Sequence, residues 1–164
     1  MKYFWLAGVV CTALLGGCAT RQTLVPQVQQ GVADGTIDLL VTDHAPHHYD
    51  EKEREFADAP NGIVGLETAL GVNCTYLLHR GVITLAQMVD AMSCKPAKVF
   101  HLPGGSLARG SLGDVSVFDP AKQWVVDPSR FRSKGRNTPY GGHELQGQAI
   151  LTLVGGRVVY RLDA

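Results

Sequence analysis

Val41-Thr42-Asp43-His44-Ala45-Pro46-His47-His48 and, after a charged stretch, Ala59-Pro60-Asn61-Gly62-Ile63-Val64-Gly65-Leu66-Glu67-Thr68 decide how this chain is read. Just upstream, Ile37-Asp38-Leu39-Leu40-Val41 is a run of β-forming residues. A nearly continuous apolar run of that length suits a strand buried on both faces, as in a parallel sheet, so a strand is expected over 37–42. Asp43 to Gly62 then reads as a long loop rich in charge and histidine. Loops at strand ends are where chemistry is commonly placed. An aspartate just past a buried strand can bind a metal through one oxygen and take a proton from a metal-bound water. A histidine four positions later, after a proline turn, can face the same pocket and bind an anionic group. The plainer alternative is a polar loop with a helix-capping aspartate and surface histidines. Asp-His-x-x-His alone does not separate the two.

Working outward, Val64 to Leu78 has helical spacing, with Leu66, Ala69, Leu70, Asn73 and Leu77 on or near one face, and Gly81 is a plausible stop. Thr84 is a good N-cap for a helix from Leu85 to Met92. Lys95-Pro96-Ala97-Lys98-Val99-Phe100 starts another, with Pro96 in the first turn. Helices are therefore expected over about 64–79, 84–92 and 96–101 on these spacing and capping signals. From Gly104 the texture turns to short β-runs: Val115–Phe118, Trp124–Val126, Ile150–Val154 and Val158–Tyr160. Gly155-Gly156 reads as a two-residue hairpin turn. Upstream of the quoted stretch, residues 21–35 could form a short helix ending near Gly35 if Pro26 sits in its first turn.

The bulk composition fits a folded domain. Of 164 residues, 45% are hydrophobic and 18% charged, which is globular rather than disordered. A formal net charge of zero gives no sign of a nucleic-acid surface. The four cysteines, Cys11, Cys18, Cys74 and Cys94, form no C-x-x-C pair, which argues against a structural zinc site of that type. Cys74 and Cys94 read most simply as small buried residues, with a disulfide between them left open.

The N-terminus has the layout of a targeting segment. Lys2 precedes an apolar stretch from Tyr3 to Leu15, and Leu15-Gly16-Gly17-Cys18 resembles a bacterial lipobox, making Cys18 the lipidation candidate and a possible membrane anchor. The apolar run is short for a membrane span, which needs about 20 residues. A buried helix and a start-site artefact are the other two readings.

The whole active-loop string resembles dihydroorotase, a cyclic amide hydrolase of the amidohydrolase superfamily. Its pattern has a T-D-H-A-P-H turn, an E-K pair matched by Glu51-Lys52, and an A-P-x-G-I-x-G-x-E-T loop entering a helix. Cys94–Phe100 is similar to the family's S-x-x-P-A-x-x-F helix, and Gly110–Pro120 to its glycine-rich turn and strand. Ser133-Lys134, Asn137-Thr138-Pro139-Tyr140 and Gly155–Tyr160 look like its C-terminal strands. The match runs in order from about Asp34 to the end.

The resemblance implies an α/β fold: the C-terminal fragment of a TIM-barrel amidohydrolase, its last strand and helices, followed by short β-strands of the flanking β-domain. On that reading residues 1–20 are the signal-like segment or a non-native start, 21–103 the end of the barrel, and 104–164 the β-region. Asp43 would be the metal ligand and catalytic base, and His47 would contact the carboxylate of dihydroorotate or carbamoyl-aspartate. Asn61 and Gly62 would offer backbone groups to the ring. His44 reads more strongly as a packing residue behind the site, and His48, His79, His101 and His143 match no site position. The family's zinc site resembles a His-x-His pair, a carboxylated lysine and two further histidines. No His-x-His occurs here, and one aspartate cannot hold a catalytic zinc, which takes about three protein ligands.

The expectation is an incomplete site that is inactive alone, with a cytoplasmic location implied by the family. The alternatives are a membrane or periplasmic lipoprotein, and a non-catalytic partner of aspartate transcarbamoylase. A lone barrel strand leaves two unpaired edges. Either loose packing around 36–62 or pairing with another chain, including a second copy, is therefore expected.

Overall fold

The computed structural model describes residues 18–162, with side chains described over 26–162. The lipobox-like residues 15–17 lie outside the described residues, as does the side chain of Cys18. Helix α1 (Cys18–Ala33) comes first. It starts earlier than the sequence suggested, so Pro26 stands inside it rather than in its first turn. A mid-helix proline removes one backbone hydrogen bond. Val32, buried in the core, and Val28, packed against that core, tie the C-terminal half of α1 down.

Residues 37–42 do not form the expected strand. Ile37, Leu39 and Leu40 are buried, as the apolar run required. The segment nevertheless has no sheet ladder, because no neighbouring strand runs beside it among the described residues. Leu40 N–H donates to Ala91 O at 3.1 Å, and an isolated parallel bridge joins His44 to Ile63. Burial, rather than sheet pairing, holds this stretch.

A short helix α2 (Tyr49–Lys52) interrupts the histidine-rich loop. Helix α3 (Ala69–Asn73) continues through a π turn (Cys74–Leu78). It begins five residues later than the spacing suggested, because 64–68 serve the loop instead. Gly81, at φ +68°, follows the turn as expected. Helices α4 (Leu85–Val89) and α5 (Lys95–Val99) were expected as separate, but a second π turn (Asp90–Cys94) joins them without a break. Thr84 caps α4 with a full capping box: its hydroxyl accepts from Gln87 N–H, and Gln87 Oε1 accepts from Thr84 N–H at 2.9 Å.

Three antiparallel strands follow in the order β1 (Val115–Val125), β2 (Glu144–Val154) and β3 (Arg157–Arg161). The two β-runs read separately at 115–118 and 124–126 are one strand. An irregularity between Asp119 and Gln123 absorbs Pro120, which cannot donate to a ladder. The β2–β3 hairpin turns on Gly155 and Gly156, at φ +56° and +76°, a geometry that favours glycine.

The helical layer docks on the sheet through small residues. A Cβ on Gly147 would lie 2.5 Å from Cys74 Sγ, so only glycine lets α3 and its π turn approach β2 this closely. Gln146 N–H donates to the Thr75 hydroxyl at 2.8 Å across the same seam. One core cluster gathers Val32, Leu40, Cys74, Leu77 and Met88 between the helices. The second gathers the loop residues Val64, Val126, Phe131 and Tyr140 around Leu145 of β2. Cys74 is buried as expected, whereas Cys94 is exposed, and both are free thiols.

Candidate active site

The site grows from the bridge between His44 and Ile63. Ala45 N–H donates to Ile63 O at 2.8 Å, which lays 43–47 alongside 60–65. Close approach there requires glycine. Gly62 has φ +112°, and a Cβ on it would stand 2.6 Å from that of Ala45. Gly65 is similarly pressed: a Cβ on it would stand 3.0 Å from Thr42 O.

Four consecutive carbonyls of the second segment are occupied. Lys52 Nζ donates to Pro60 O at 2.7 Å and to Gly62 O at 3.2 Å. His47 Nε2 donates to Asn61 O at 3.0 Å. Asn137 Nδ2 donates to Gly62 O at 3.0 Å and to Ala45 O at 3.2 Å, and Ile63 O takes Ala45 N–H. Asn137 O in turn accepts from Val64 N–H at 3.0 Å. The N–H groups of Asn61 and Gly62, by contrast, have no acceptor among the described residues.

The structure thus brings His47, Asn61 and Gly62 into direct contact. The second nitrogen of His47 faces Glu51 Oε2 at 3.4 Å, an ion pair whenever the ring is protonated. Asp43 sits at the mouth of the loop, exposed and without a hydrogen bond among the described residues. Its φ of +45° is left-handed, a conformation aspartate tolerates better than most residues, and such positions collect at functional sites. On α2, Tyr49 has its phenol held above the usual range, first by its hydrogen bond to the Glu53 carboxylate.

His44 holds the loop from behind. Its Nδ1 accepts from Gly65 N–H at 3.1 Å and Leu66 N–H at 3.3 Å. An acceptor at Nδ1 means that the proton is on Nε2, which therefore donates to Ser133 Oγ at 3.3 Å. A histidine so used cannot take the serine proton, which excludes a serine nucleophile at this pair. Ser133 N–H donates to Glu67 Oε1 at 2.8 Å.

The segment 131–140, whose Ser133-Lys134 and Asn137–Tyr140 motifs were expected to be strands, is a loop that returns to the site. The sequence resemblance contained Lys52, Ser133 and Asn137 but gave them no role. Their positions within the matched motifs were the available signal.

The donor set does not compose a metal centre. No group of three His, Cys, Asp or Glu side chains suited to a metal occurs among the described residues. Asp43 alone does not fit a catalytic zinc. No helix of the described residues is long and apolar enough to cross a membrane.

Comparison with known proteins identifies the family of the chain as a whole. The amidohydrolase family model matches residues 19–159. A dihydroorotase from Syntrophus aciditrophicus is 52% identical over 83% of this chain, and one from Pelobacter propionicus 48% identical over 84%; the match covers 32% of each relative. Among solved structures, an L-hydantoinase (dihydropyrimidinase) from Arthrobacter aurescens superposes with a TM-score of 0.79 at 34% identity, covering 84% of this chain and 32% of that one. A dihydropyrimidinase from Brevibacillus agri gives 0.79 at 27% identity, over 86% and 32%. The chain spans about a third of the length of the relatives it matches, and it belongs to the amidohydrolase family.

Proposed function

We propose that these residues form the substrate-recognition and base side of a dihydroorotase-type cyclic amide hydrolase, acting on dihydroorotate and carbamoyl-aspartate. The observation that carries this reading is the clustering of His47, Asn61 and Gly62, with both loop amides left without acceptors. Dihydroorotase relatives about half identical to this chain support the substrate class. Asp43, exposed at the loop mouth, accepts a proton in this scheme. The imidazole of His47 meets a substrate carboxylate once it is released from Glu51, and the free N–H groups of Asn61 and Gly62 hydrogen-bond to ring oxygens. Residues 21–103 then belong to the barrel end and 104–164 to the β-region, in a cytoplasmic enzyme.

Zinc chemistry, implied by the resemblance, would draw on ligands beyond Asp43. The 164 residues alone are expected not to turn over dihydroorotate even with added zinc. The lipidated and transcarbamoylase-bound readings gain no support from the described residues.

The test is a titration of the chain with carbamoyl-aspartate followed by amide NMR. Shifts concentrated at residues 43–47 and 60–62 are expected. Shifts absent there, or zinc-dependent turnover by these residues alone, would overturn the reading.

A further inference from the structure

We infer that Lys52 and Asn137 are positioning residues that fix the conformation of loop 60–63. They leave the Asn61 and Gly62 amides free for an anionic or carbonyl-bearing ligand. Two observations carry this. The first is saturation of the carbonyl side: every carbonyl from Pro60 to Ile63 accepts a hydrogen bond, and Lys52 and Asn137 together account for Pro60 O and both bonds to Gly62 O. A buried or half-buried carbonyl is costly to leave unpaired, so a loop with all four occupied has little freedom to flip a peptide plane. The second is that the two side chains come from opposite directions. Lys52 ends α2, only eight residues before Pro60, whereas Asn137 arrives from the far C-terminal segment.

The orientation of the Asn137 amide follows from its acceptors, with Oδ1 left buried and unpartnered among the described residues. Its Nδ2 has two carbonyl acceptors, Ala45 O and Gly62 O, while its own backbone carbonyl holds Val64 N–H. It therefore spans both sides of the His44–Ile63 bridge. Lys52 supplies three N–H donors from one charged atom, enough for two carbonyls, and its charge strengthens both bonds. Neither residue touches substrate in this scheme. They act through the loop, and the ligand class rests on the functional reading given above.

The experiment uses the 164-residue chain and amide hydrogen exchange by NMR. Ala45 N–H, bonded to Ile63 O, and Val64 N–H, bonded to Asn137 O, report loop opening. Met88 N–H, bonded to Thr84 O, and Val126 N–H, bonded to His143 O, report the core. In Lys52→Met and Asn137→Ala, exchange at Ala45 and Val64 is expected to rise about 10-fold per lost bond, with Met88 and Val126 unchanged. Lys52→Arg, which keeps the donors, is expected to return Ala45 close to its original rate.

Unaltered exchange at Ala45 in both Lys52→Met and Asn137→Ala overturns the proposal. So does equal acceleration at Met88 and Val126, which would mark a general stability role. A parallel titration with carbamoyl-aspartate separates the two ideas. Loop shifts absent in the unsubstituted chain count against the functional reading alone. Loop shifts present and unweakened in Lys52→Met count against the positioning role.

Discussion

The loop 43–65 and the seam between α3 and β2 are built by different physics. The seam is largely apolar and closely packed: Leu145 and Cys74 are fully buried, Gly147 leaves no room for a Cβ against Cys74, and Gly71 lies tight against Leu145 and Trp124. The loop buries little beyond Val64 and is held by side chains reaching to backbone carbonyls and amides, from Lys52, His47, His44 and Asn137. Packing energy is shared over many atoms, so damage at the seam spreads. Hydrogen bonds are few and directional, so damage in the loop stays local. A site that must meet a ligand gains from the second arrangement, since donors and acceptors can be set individually without rebuilding the core.

Substitutions can break or sharpen that contrast. The largest effect is expected from Leu145→Ala, which removes a fully buried side chain from the second core cluster. It should cost about 2–5 kcal/mol of global stability, measured by urea unfolding. Gly62→Ala comes next. The left-handed φ and the short approach to Ala45 should cost about 1–3 kcal/mol. This loss should appear in exchange at Ala45 with much less change in the urea midpoint. A midpoint shift as large as that of Leu145→Ala would erase the distinction between the regions.

His44→Ala removes the acceptor for two backbone amides and should cost about 1–3 kcal/mol. In a double-mutant cycle with Ser133→Ala, a coupling of about 0.5–1.5 kcal/mol is expected from the shared Nε2–Oγ bond. Zero coupling would mean that Ser133 does not need this histidine.

The smallest effect concerns the thiols. Burial pushes the Cys74 thiol up to about 11 from an ordinary 9.0. Its folded form thus holds a proton that the unfolded chain loses first. The contribution of this thiol to stability is full below pH 9 and is lost as the pH rises from about 9 to about 11. Cys74→Ala should flatten that slope. At neutral pH a thiol reagent should label the exposed Cys94 and spare Cys74.

The sequence was most legible where local rules decide the outcome. Thr84 marked the cap, Gly155-Gly156 the hairpin, and the apolar run 37–41 burial, while the answering side chain of Gln87 came from the structure. It misled where an element depends on partners elsewhere. Ile37–Thr42 has the composition of a sheet strand, yet a ladder requires a neighbour, and the described residues provide only the contact of His44 with Ile63. Likewise, no periodicity marks Asn137 or Ser133. Their roles arise from contacts about 90 positions away in the chain, and only the order of the family motifs brought those segments under notice. Asp43, His47, Asn61 and Gly62 were legible as a motif, but the link from His47 to the Asn61 carbonyl was not.

The return of Asn137 to Ala45 spans 92 positions and has a consequence for synthesis. At a ribosomal pace of roughly 5–20 residues per second, Ala45 leaves the peptidyl-transferase centre about 5–18 s before its partner exists. During that interval Lys52 and His47 can already engage the Pro60 and Asn61 carbonyls, since both ends of those bonds are close in the chain. The loop is thus half assembled by its own neighbourhood and closed only when the C-terminal segment emerges. A chain cut short before Asn137 would lack the contacts to Ala45 O, Gly62 O and Val64 N–H, so the loop's final closure depends on residues made long after it.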